Sequence, residues 1–428
     1  QRVRAAIRTL GRMESEQAIG RLEELLSSTE FRTAAAEALG EIGSNTARNI
    51  LVEALEQSEP GAFQNALIRA VGRVGGSESA SRIIELAEAT RAADAEGAGP
   101  DSEKMLTVLE AMAELAEQGV RNRSLYDILS EYVEHPDPEF RRVAAEGVAS
   151  YGGRNALALL EPRLQEEQNE EVIVALVDRL VEYDEVSVLT SYTNLLDAPG
   201  TSSRVKEEIL TAIGAHENGT RVVTSVMEYL SHESDTLRSA AASSLTALYD
   251  KDARAVVGAL SRSVSGSENE LFLEEATAIL ADLADPASLT ALLNALGSPY
   301  EEVRKNATWG LYRIRPSDNA RVAAELQKLV TSEAEPLSVR INAVRALGAM
   351  GQDSARLEVE KTLATTLRLR SPEYAMLRYF AVQALSRMPA LSTETRDALL
   401  QTAASNEPRI IRTAALQTLL ENGARLGG

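Results

Sequence analysis

A short amphipathic stretch recurs along this chain, and its clearest copy is Val339 to Gly351, VRINAVRALGAMG. Val339, Ala343, Leu347 and Met350 fall on one helical face. Ala343 and Ala346 are small, so a second helix can come close there. Gly348 and Gly351 are expected to weaken the helix and let it stop. A helix this short cannot bury its apolar face alone. It needs a partner helix before it and a copy of itself beside it. Length alone, 428 residues, suggests about two or three globular domains. The repetition predicts instead a stack, which can be one object of any length.

Copies of the stretch begin at Arg2, Phe31, Phe63, Met105, Phe140, Val172, Val205, Leu237, Phe272, Val303, Val339, Leu377 and Ile411. From Phe140 onward the spacing stays between 31 and 38 residues. Between copies lie segments with the same apolar period, such as 18–26, 47–55, 125–133, 253–263 and 320–330. These predict a first helix for every second one. The turn into a second helix often carries Pro or an acid, as in HPDPEF (135–140) and SEAEPLSV (332–339). Pro suits a helix's first turn, and an acid there complements the dipole. The segment 91–103, RAADAEGAGPDSE, is small, polar and acidic, and reads as a flexible insertion.

A helical pair of this length, with V-R-x-x-A-x-x-A-L-G in its second helix, resembles the HEAT repeat. The Ala/Gly-rich form is most similar to the HEAT-like repeats of phycobilin lyases. The resemblance implies an all-α fold, a right-handed superhelix of twelve to thirteen hairpins without a sheet, running over 1–428 as a single solenoid. The chain opens on a second helix, so an N-terminal part is expected to be missing and could also be replaced by contact with another chain. In this family the Arg after the first apolar residue forms a ladder between repeats with an acid from the turn. The matching positions are Arg32, Arg141, Arg238, Arg304, Arg340, Arg378 and Arg412, with Glu139, Asp235, Glu301, Glu302, Glu335 and Glu407 as candidate partners. Gln64, Leu106, Ile173 and Leu273 stand where the Arg is absent, and the ladder is expected to break there.

Chemistry is sparse. There is no cysteine, hence no thiolate nucleophile, disulfide or thiolate metal site. His135, His216 and His232 lie in different repeats, without the paired spacing that zinc needs. No nucleophile elbow, calcium loop or phosphate-binding glycine motif occurs. No catalysis and no cofactor are expected. The formal charge of −20 argues against a nucleic-acid backbone as partner. No apolar run is long enough to span a bilayer, and the absence of Cys leans towards an extracytoplasmic setting.

What remains is surface. On a regular helix, counting the first apolar residue as position one, positions three, seven and ten point away from the core. In this family the second helices line the concave side. The outward residues there are Lys305, Trp309 and Tyr312; then Ile341, Arg345 and Gly348; then Tyr379, Gln383 and Ser386. Trp, Tyr and Arg are the residue types that anchor interfaces. Lys305, Trp309, Tyr312, Ile341, Arg345, Tyr379 and Gln383 are therefore the candidate contacts of a scaffold for a partner protein or peptide. An accessory module of the lyase type, acting on a cofactor-bearing protein, is the alternative that the resemblance leaves open. Nucleic-acid binding stands last.

Overall fold

A computed structural model describes residues 2–95, 102–316, 319–350 and 356–426. Among these residues there are twenty-five α-helices, a few short 3-10 turns and no strand. First and second helices alternate throughout. The predicted second helices appear at Arg2–Arg12, Arg32–Ile42 and Ala62–Val74, and on to Arg409–Leu426. A further first helix, Val186–Asp197, stands where the alternation demands one. The expected insertion at 91–103 is narrower than its composition suggests. Helix Ser77–Ala95 carries on through the Ala-rich start of that segment, and helix Ser102–Glu117 takes its end. Residues 96–101 lie outside the described residues.

The chain divides into two compact units, residues 1–212 and 213–428. Within each unit, consecutive second helices pack side by side and first helices form a neighbouring row. Most second helices come closer to one another than the first helices do, the pair Asp235–Lys251 and Glu270–Leu283 excepted. Side-chain size explains the difference. In the first unit a β-carbon added to Gly72 would lie 2.8 Å from both Cα and Cβ of Ala111, and one on Gly40 would lie 3.1 Å from Cα of Ala70. In the second unit a β-carbon on Gly348 would lie 2.4 Å from Cβ of Ala384, and one on Gly310 would lie 3.0 Å from Cα of Ala281. Each of these glycines is buried inside its helix.

The helix ends at Ala349, one residue past Gly348, and Gly348 has a second role. It marks where the next second helix touches. Gly351 lies outside the described residues. Position ten divides by residue size: Gly40, Gly72, Ala149 and Gly348 are buried between helices, whereas Tyr312 and Ser386 are half-buried and Thr246 is exposed.

The turns are fastened by charge. Arg141 Nη1 donates to the carbonyls of His135 and Pro136, both at 2.8 Å. Its other nitrogens donate to the two Glu167 oxygens, each at 2.8 Å. One guanidinium thus ties its own turn to the turn of the next repeat. Arg304 repeats this with Ser298, Pro299 and, at 3.0 Å, Glu335. Arg238 likewise holds the carbonyls of His232 and Glu233, and reaches Glu275 inside the next second helix. Arg378 joins the carbonyls of Leu369 and Ser371 to Glu407.

Several expected partners differ. The Arg reaches forward to the following repeat, so Glu335 and Glu407 pair as expected while Glu139, Glu301 and Glu302 do not. Glu301 accepts from Ser338 and Glu302 pairs with Lys305. Asp235 adds to Arg238 from its own helix, and Glu167 and Glu275 complete the set. Arg340 donates to the Val330 carbonyl at 3.0 Å and lies over the Tyr374 ring at 5.1 Å. Arg32 lies over Phe63 at 4.5 Å, and Arg412 is exposed. At the expected break of Gln64, the amide still donates to the Ser58 carbonyl, six residues back as in the Arg turns.

Glu167 offers a direct test. Burial pushes its carboxyl up, but hydrogen bonds from Arg141, the Asn169 amide, Arg163 and the Gln168 amide outweigh burial and hold it at about 2, against an ordinary 4.5. A folded-state value below the unfolded one gives stability that is complete above about pH 4.5 and is lost as pH falls through about 2. Glu167→Gln should cost about 3 kcal/mol near neutral pH. The gap between variant and unaltered protein in urea midpoint should then close across that acid window.

Candidate functional site

The candidate residues lie on three successive second helices of the second unit, Glu301–Ile314, Leu337–Ala349 and Ala375–Ser386. Trp309 and Tyr312 share one face of the first, three residues apart, with ring centres 5.3 Å apart. Arg345 projects from the second helix. Its guanidinium carbon lies 4.5 Å from the Tyr312 ring centre, 4.9 Å from Trp309 and 5.1 Å from Phe380 of the third helix. One cation is thus held against three aromatic rings contributed by two helices other than its own.

Trp309, Tyr312, Arg345, Tyr379 and Phe380 are all half-buried, so the cluster keeps an open side. A cavity of about 130 Å³ adjoins it, lined by Tyr312, Arg345, Gly348, Tyr379, Phe380 and Gln383, with Ala384 and Arg387. The close contact of Gly348 with Ala384 lies in the same lining. Absence of a side chain at Gly348 thus lets the two helices meet beside the cavity, with Ala384 filling the space.

The electrostatics are local and opposite in sign to the whole chain. Among the described residues Arg345 forms no ion pair with a carboxylate. The Tyr312 phenol is held below its ordinary value by a hydrogen bond from Arg345, against the effect of burial, and further by the charges of Arg345, Arg387 and Arg315. Three guanidinium groups therefore act on one phenol, in a chain of net charge −20.

The remaining candidates separate from this cluster. Lys305 Nζ is engaged by Glu302 at 2.8 Å. Ile341 is half-buried and does not line the cavity. Phe380 and Arg387 were not among the candidates. Phe380 sits beside Tyr379 in LRYFAVQ at a position the helical wheel turns towards the neighbouring helix, and only the neighbour's Arg345 gives it a role. Each histidine has a turn role. His135, His216 and His232 accept at Nδ1 from the amide two residues on, at 3.1, 3.0 and 3.0 Å. Among the described residues no three His, Asp or Glu side chains are grouped as a metal would require.

Residues 2–72 and 98–180 match the family model for HEAT repeats. Those two stretches carry HEAT repeats. The helical architecture relates the chain as a whole to solved structures. The crystal structure of Kap121p matches with a TM-score of 0.61 at 11% identity, covering 96% of this chain and 50% of that one. Kap121p bound to Nup53p matches at 0.63 and 11%, covering 96% and 49%. The karyopherin Kap121p bound to the extreme C-terminus of the protein phosphatase Cdc14p matches at 0.62 and 12%, covering 95% and 50%. The chain spans about half the length of these structures, and at such identity the likeness is one of fold. Comparison with curated proteins by sequence gives no match.

The Arg345 cluster makes a measurable claim about Tyr312. In a tyrosine ring-carbon NMR titration, Tyr312 should ionise below the ordinary value of 10. Tyr183, which burial pushes up to about 12, should follow much later. Replacing Arg345 with Met should move Tyr312 upward while leaving Tyr183 in place.

Proposed function

We propose that this HEAT-repeat chain is a non-catalytic scaffold that binds an extended segment of a partner protein across the second-helix face of its second unit. The observation that carries the reading is Arg345, a half-buried cation stacked among Trp309, Tyr312 and Phe380 without a carboxylate of its own. Such a group is preorganised for an incoming carboxylate, because the rings hold it in place before the partner arrives. The adjoining cavity takes a small side chain beside it, with Gln383 available as an amide donor and acceptor. The segment is therefore acidic, its carboxylate on Arg345 and its neighbouring side chain between Tyr312 and Tyr379.

The solved Kap121p structures support a protein partner by analogy, since they hold Nup53p and a segment of Cdc14p. No described helix is long and apolar enough to cross a membrane.

Trp309 is the chain's single tryptophan, so its emission reports on this face without labelling. An array of acidic peptides, screened for binding and then titrated against the full chain, should shift that emission with saturation. Arg345→Met should weaken the best peptide by about 30-fold, the loss of one interface hot spot. Trp309→Phe with Tyr379→Ala should weaken it as well, measured by calorimetry. Undiminished binding by both variants, folded by circular dichroism, would dismiss the site.

A further inference from the structure

The ladder has a gap, and the gap is hollow. In the repeat that starts at Phe272 the Arg position is held by Leu273, buried at 6% exposure. A cavity of about 470 Å³ lies there, between the turn that enters this second helix and the turn of the next repeat. Its lining includes Ser267 and Glu268 from the first turn and Ser298, Pro299 and Tyr300 from the second. Leu273, Val264 and Val303 supply its apolar floor.

The comparison with the filled turns identifies what is missing. Arg141, Arg238 and Arg304 each donate to the carbonyls five and six residues back. Counted from Leu273, those carbonyls belong to Glu268 and Ser267. The Glu268 carbonyl is served by the Tyr300 hydroxyl, at 3.2 Å. The Ser267 carbonyl accepts no hydrogen bond from the described residues. The backbone cradle of a guanidinium is therefore present in part, without the guanidinium.

We propose that this cavity takes an arginine side chain presented by an extended segment of a partner protein. Its methylenes lie on Leu273, Val264 and Val303, and its head reaches the Ser267 carbonyl and the exposed Glu268 carboxylate at the rim. Charge favours the same occupant. Glu268 at the rim and Glu270 and Glu274 on helix Glu270–Leu283 form no ion pair among the described residues, whereas Glu275 is taken by Arg238 and Asp282 by Arg313. The chain itself shows the fit, since it fills the corresponding space with its own Arg in four other repeats. This site is separate from the Arg345 cluster, and it has the opposite preference of charge.

Methyl NMR of the full chain tests the assignment, with N-acetyl-arginine methylamide as probe and its citrulline analogue, uncharged and nearly isosteric, as control. Leu273 and Val303 methyl signals should shift with saturation for arginine, and at least about tenfold more weakly for citrulline. Leu273→Arg, which supplies the guanidinium from within, should abolish the response at Val303 and raise the melting temperature. Glu268→Gln, on the exposed rim, should weaken the arginine response about threefold or more. Equal responses to the two compounds, a Val303 response that survives in folded Leu273→Arg, or an arginine response unchanged in Glu268→Gln would each overturn the proposal.

Discussion

Contact between the backbones of neighbouring second helices is the constraint from which the rest of each unit follows. Where Gly72 meets Ala111 or Gly348 meets Ala384, no β-carbon fits without displacing main chain. Such seams bring dispersion contacts along the whole helix, since close-packed neighbours lose much of their attraction over a gap of an ångström. They also explain the composition. Aromatics make up 4% of the chain, because large rings cannot be accommodated where helices touch. The exceptions then carry information. Trp309, Tyr312, Tyr379 and Phe380 gather at the edge of a seam, where their rings have an open side.

The charged turns do a different task. A stack of identical seams would let one repeat slide along or rotate against the next. Arg141 with Glu167, Arg304 with Glu335 and Arg378 with Glu407 fix the register, because each guanidinium has one geometry that satisfies two carbonyls and a carboxylate together. The Arg378 pair is almost entirely buried, and its desolvation is offset only in that geometry. A repeat that lacks the Arg loses this fastening, although Gln64 replaces part of it in its own turn. At Leu273 a cavity lies in its place. The proposed arginine site thus lies where the repeat departs from its pattern, as expected when function is grafted onto a repetitive scaffold.

Periodicity made the helices, their pairing and the second-helix face legible in the sequence, since a short amphipathic helix has few ways to hide its apolar side. The candidate cluster was legible in part. Trp309, Tyr312 and Arg345 come together because positions seven and ten of adjacent copies are neighbours in space. Phe380 was hidden because its role depends on a residue 35 positions earlier. Lys305 lies apart from the cluster, and Glu302 one turn before it holds its charge. Only part of the role of Gly348 was legible, for a general reason. Glycine as a helix stop and glycine as a contact point look alike in one chain, and only the neighbour's position distinguishes them. Likewise the ladder acids could be placed in the turns but not assigned to a repeat, because a carboxylate's partner is set by which way the long Arg side chain reaches.

One comparison of melting temperatures tests the seam most directly. Gly20, on the exposed side of helix Ile19–Leu26, has no atom within 4 Å of an added β-carbon, whereas Gly348 has Ala384 at 2.4 Å. Gly20→Ala should raise stability by roughly 0.5–1 kcal/mol, the ordinary gain of alanine within a helix. The same substitution at Gly348 should lower it by about 1–3 kcal/mol, because the helices must move apart. Opposite signs are the result this account requires. A stabilising Gly348→Ala would contradict it.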